Sequence, residues 1–135
     1  MKREKVDIKE QIKYWTEISE YDLSTADVML KNKRYLYVGF MCHQTIEKIL
    51  KAYFVSAVKE IPPYIHNLTK LSKLSGLNTD LSEDQKGVLD VLEPLNIEAR
   101  YPTYKDEIFK SLNEIKCKQI LSDTKELYLW IKNRL

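Results

Sequence analysis

Glycine and proline are scarce in this chain, with 3 and 4 copies among 135 residues. Tight hairpins draw on both, so the composition argues against an all-β architecture. Three scattered glycines cannot build a phosphate-cradling loop or a dinucleotide-binding turn. The two histidines, His43 and His66, and two distant cysteines, Cys42 and Cys117, make no zinc-type ligand cluster, so no metal and no cofactor is expected. No serine stands in a nucleophile-elbow context. No apolar run approaches the ~20 residues that a membrane span needs. The charged start Met1-Lys2-Arg3-Glu4-Lys5 is not followed by an apolar stretch, so no secretory signal is read and a cytoplasmic location is expected. In that setting Cys42 and Cys117 are expected as buried free thiols, although sequence alone leaves a disulfide open. Charge of either sign is not in excess: 22 basic against 20 acidic residues, net +2. That balance gives no general pull toward nucleic acid or membrane, while a local basic patch stays open.

What is present is helical periodicity. The chain fits one domain, residues 1–135, with an ordinary apolar fraction of 44%. A first helix is predicted from about Asp7 to Lys31. Trp15, Ile18, Ser19, Asp22, Ala26, Met29 and Leu30 share one face. Asp22 on that stripe needs a partner or a place at the rim of the core. A second helix is predicted from about Tyr35 to Val58, with Val38, Cys42, Ile46, Ile49, Tyr53 and Ala57 inward, ended by Pro62-Pro63. The short Lys31–Arg34 link makes the first two helices an antiparallel hairpin.

A short third helix spans Asn67 to Ser75, with Asn67 as N-cap, Gly76 beyond its end, and Leu68, Leu71 and Leu74 as its apolar edge. The fourth starts at Ser82, with Gln85 completing a capping box, and runs to near Arg100, with Pro94 kinking or breaking it. Thr103 to Lys110 reads as loop or a single turn. The last helix opens around Ser111, with Glu114 as its capping partner, and turns Cys117, Ile120, Leu121, Thr124, Leu127, Tyr128, Ile131 and Leu135 inward. The expectation is an all-α, up-and-down bundle of four main helices plus one short helix.

One row in this pattern raises a chemical question. His43, Glu47 and Lys51 stand four apart on the second helix, with Gln44 and Lys48 beside them. For the row alone, a solvated face with an ordinary ion pair is the favoured reading. His66 precedes the third helix and is expected to hydrogen-bond a helix terminus. Arg100 is expected to complement a helix C-terminus.

Taken in order, "YWTEISEYDLSTADVML", "RYLYVGFMCHQTIEKILKAYF", "IHNLTKL" and "EARYP" resemble the HEPN family of small α-helical domains. The resemblance runs from about Trp15 to Trp130. It implies a helical bundle that forms a homodimer, encoded in many cases beside a minimal nucleotidyltransferase with which it acts as a toxin–antitoxin pair. It also implies nucleotide or RNA binding, and in some members metal-independent RNase activity through an Arg and a His with four to six residues between them. The family pattern matches Asp22, Glu47, Lys51, His66 and Arg100. Here it departs from the RNase pattern: no histidine follows Arg100 at that distance, and His43 lies too far beyond Arg34.

Three functions are therefore weighed. The first is a binding module for a nucleotide or RNA phosphate that docks a nucleotidyltransferase. Its ligand residues would be Asp22, His43, Lys48, Lys51, Arg100 and Tyr101, with Tyr101 or Tyr104 stacking on a base. The second is an RNase toxin in which His66 is the acid or base, Arg100 stabilises the transition state and Glu47 orients them. The third is a purely structural interaction protein in which the same charges form a network between helices.

Overall fold

The computed structural model describes residues 7–135, the side chain of Ala99 aside. The charged segment Met1–Lys5, used above to weigh a secretory signal, lies outside the described residues. Among those described there is no strand, and six α-helices appear, together with short 3₁₀ turns. Helix α1 (Ile8–Lys31) is capped by the Asp7 carboxylate, which accepts from the Glu10 amide. A three-residue turn with Lys33 in the left-handed region returns the chain into α2 (Tyr35–Val58). Lys59, also left-handed, ends α2 just before Pro62-Pro63.

Helix α3 (Leu68–Leu74) is capped by Asn67, and Gly76 follows at φ +83°, where a Cβ is disfavoured. Helix α4 (Glu83–Leu92) begins with the Ser82–Gln85 capping box. It stops at Leu92, well short of Arg100. Pro94 breaks it, and two 3₁₀ turns, Glu93–Leu95 and Ile97–Ala99, carry the chain onward.

The segment read as loop is a ten-residue helix, α5 (Pro102–Ser111). Proline at its first position suits a helix start because the missing N–H has no intrahelical role there. None of its residues is fully buried; Tyr104 and Ile108 are half-buried and stand four apart in line with the buried Leu112, a stripe too short to stand out in the sequence. Ser111 is the last residue of α5, not a cap; its hydroxyl donates back to the Ile108 carbonyl. Asn113 caps α6 (Glu114–Lys132), accepting from the Lys116 amide at 2.8 Å.

Helix α2 is the axis of the molecule. It packs against α1, α3, α4, α5 and α6, and 14 of its 24 residues are buried. An amphipathic stripe therefore understates it: Phe40, Leu50, Ala52, Phe54 and Val55 are buried outside the expected face. Ala57, expected inward, is exposed, as are Leu74 and Leu135 at 48% and 37%. These three lie at or beyond helix ends, where neighbouring elements no longer cover them. Cys42 and Cys117 are buried and free. No helix among the described residues is long and apolar enough to cross a membrane.

Candidate ligand-binding cleft

A central helix packed by five others buries several of the polar residues its sequence carries. The row His43–Glu47–Lys51 is therefore no solvated face: these residues are 0%, 2% and 4% exposed. Buried charges must be paired and hydrogen-bonded, and here they are. Lys51 Nζ donates to Glu47 Oε2 at 3.2 Å and lies 5.2 Å from the centre of the Trp15 ring. The other Glu47 oxygen contacts His66 Nδ1 at 3.1 Å. His66 thus leaves the helix terminus to Asn67 and to Glu93, whose carboxylate accepts from the Leu68 amide. The loop imidazole and the central carboxylate form a dyad, with the His66 ring 44% exposed.

A second chain of contacts begins at α1. Asp22 accepts from Lys48 Nζ at 2.9 Å, which supplies the partner its place on the inward stripe demanded. Lys48 also donates to Gln44 Oε1 at 2.9 Å. Lysine can only donate, so the Gln44 oxygen must face it and the Gln44 amide nitrogen must face His43 Nδ1, 3.2 Å away. His43 is then the Nε2–H tautomer. That N–H is buried without a partner. Burial is the main reason the His43 pKa falls from 6.5 to about 4; Glu47 opposes the fall, while the charges of His66, Lys48 and Arg100 add to it.

Arg100 completes the neighbourhood. Its Nη2 donates to the Glu93 carbonyl at 3.4 Å, just past the end of α4, where a cation was expected. Its guanidinium stacks on Tyr104 at 5.1 Å, and its Nε is buried without a partner. Tyr104 is thus engaged by arginine. Tyr101 is 85% exposed at the head of α5 and is not among the residues lining the cleft.

The solvent-reachable part of this region is a cleft of about 280 Å³ lined by Gln44, Tyr64, His66, Asn96 and Glu98. Tyr64, Asn96 and Glu98 were not singled out from the sequence. Tyr64 is 91% exposed and meets the His66 ring edge-on at 5.0 Å; its only sequence signal is its place two residues before His66. Among the described residues no group of three or more histidine, cysteine or acidic side chains could hold a metal.

The structure resembles the crystal structure of TT1696 from Thermus thermophilus, with a TM-score of 0.78 and 18% identity over 93% of this chain and 98% of that one. At that identity the likeness speaks for the fold. No curated protein matches the chain. The family model described as HEPN domain matches residues 12–134, and so spans α1 to α6. This chain belongs to the HEPN domain family.

Proposed function

We propose that the cleft binds a nucleotide or a single-stranded RNA phosphate, and that the protein acts as a binding module with a minimal nucleotidyltransferase partner in a toxin–antitoxin-type pair, as a homodimer. Membership of the HEPN family supports a nucleotide- or RNA-related module. The observation that carries the reading is a pair of buried N–H donors without partners, His43 Nε2 and Arg100 Nε, each one or two residues from a residue lining an open polar cleft, Gln44 and Glu98. Unpaired buried donors are costly, and an acceptor-rich ligand such as phosphate relieves that cost.

Charge bookkeeping narrows the ligand. Lys48 is committed to Asp22 and Lys51 to Glu47, so they shape the site through those carboxylates. Arg100 has no carboxylate partner among the described residues. One free guanidinium suits a phosphodiester or monophosphate better than a triphosphate. Tyr64 offers the stacking face that Tyr104 cannot, and Tyr101, exposed at the head of α5, stays available to a longer strand. The test is calorimetric titration with mononucleotides and a short single-stranded RNA. Arg100→Ala is expected to weaken binding about tenfold or more while leaving the thermal midpoint in place. No binding by the unaltered protein at millimolar ligand would sink the proposal.

One observation favours a second reading. With its Nδ1 on the Glu47 carboxylate, His66 points its basic nitrogen away from that partner, as a general base requires. His66 would then take the proton of a ribose 2′-hydroxyl as its oxygen bonds to phosphorus, Arg100 would steady the charge on the phosphorane, and the P–O5′ bond would break with the 5′-oxygen taking a proton from water. Cleavage of labelled RNA that His66→Ala abolishes would establish this reading; absence of 2′,3′-cyclic phosphate products would exclude it.

A further inference from the structure

A second groove, of about 670 Å³, is lined by α4 and α6 and shares no residue with this cleft. Val88, Val91 and Leu92 from α4 and Ile120, Leu127 and Trp130 from α6 supply its apolar walls. Val91 is 53% exposed. The charged residues lining the groove are Asp84, Asp123 and Glu126, all acidic. None of the three is in an ion pair among the described residues.

Gly87 is the second observation. It lies in the interior of α4, lines the groove, and has no left-handed φ to require glycine. A Cβ built there meets nothing within 4 Å. The fold itself therefore has no use for a glycine that weakens its own helix. A missing side chain in a groove wall makes sense where another backbone approaches closely.

We infer that this groove docks a basic amphipathic helix of a partner protein, its apolar stripe between α4 and α6 over Gly87 and its flanking Lys or Arg residues against Asp84, Asp123 and Glu126. An apolar slot with a rim of one sign reads as a helix-in-groove site with charge selection. A second copy placed here about a two-fold axis would set the three carboxylates against their own mates, so charge disfavours it. This surface is separate from the cleft, and its test does not depend on nucleotide binding.

The probe is a fluorescein-labelled amphipathic helix of about 18 residues, with leucine at helical spacing and lysine on both flanks, read by anisotropy. Its twin carries glutamate in place of every lysine. The lysine peptide is expected to bind saturably, and the glutamate twin at least about tenfold more weakly. Gly87→Met fills the slot and Glu126→Lys reverses the rim; each should weaken the lysine peptide about tenfold or more. Gly87→Met is expected to keep or raise the thermal midpoint, because the new side chain enters open space and helix propensity improves. Equal binding of the twin, unaltered binding to both variants, or no binding of either peptide would overturn the inference. So would a concentration-dependent dimer that Gly87→Met dissolves, since the occupant would then be this chain.

Discussion

Acidification should destabilise this protein through His43. The imidazole is fully buried and its folded pKa is lowered to about 4, while in the unfolded chain it returns to about 6.5. Between those values the unfolded chain binds the proton and the folded one refuses it. Stability must therefore fall as pH drops from about 6.5 to 4 and level off below. Linkage gives a loss of about 2.5 kcal/mol at pH 4.5 relative to pH 7.5, a large share of the roughly 5–15 kcal/mol typical of a domain. Glu47, His66, Lys48 and Arg100 all act on the ring and other groups titrate too, so a His43→Leu control is needed. Urea unfolding followed by far-ultraviolet circular dichroism at pH 7.5, 5.5 and 4.5 is the assay. With an m-value of about 2 kcal/mol/M, the wild-type midpoint should drop about 1.2 M further than that of His43→Leu. Parallel pH profiles for the two proteins would refute a buried neutral histidine.

Other outcomes follow from the same packing. Lys51→Met strands the Glu47 carboxylate and should cost about 3 kcal/mol in urea unfolding, with Lys51→Met/Glu47→Gln recovering at least about half. Gly39→Ala sets a Cβ 3.1 Å from Leu95 Cδ1 and 3.4 Å from Leu112 Cδ1; crowding should outweigh the gain in helix propensity and leave a net loss of about 1 kcal/mol. Burial raises the thiol pKa to about 12 at Cys42 and about 11 at Cys117, so at pH 8 Cys117 should react with a disulfide reagent about a hundredfold slower in the native protein than in urea, and Cys42 slower still.

Local signals carried much of the fold. Asp7, Asn67, Ser82 and Gln85 announce their helix starts because a cap is written within three residues of the backbone it serves. The hairpin of α1 and α2 is legible for a similar reason, since three residues leave no other return. Helix α5 was hard to read because its inward stripe, Tyr104, Ile108 and Leu112, spans only three positions. The buried row on α2 was misjudged because spacing says which residues align and nothing about what covers them. His66, Trp15 and Tyr64 supply that cover from distant parts of the chain. The alignment of His43 with Glu47 was legible, while the arrival of His66 at Glu47 is tertiary information. Asn96 entered the cleft lining only because Pro94 ended α4 early and bent the chain across it.

The unburied helix α5 has a mechanical consequence. It is held by Leu112 at one end, by the Arg100–Tyr104 stack at the other and by the half-buried Ile108 between them, with no fully buried residue of its own. Lifting it away breaks few contacts and spares the centre of the bundle, so its amides should exchange with solvent earlier than those of α2. Each such excursion strips the aromatic cover from Arg100. A separation of α5 from the bundle would uncover the Arg100 guanidinium while the centre of the bundle stays packed.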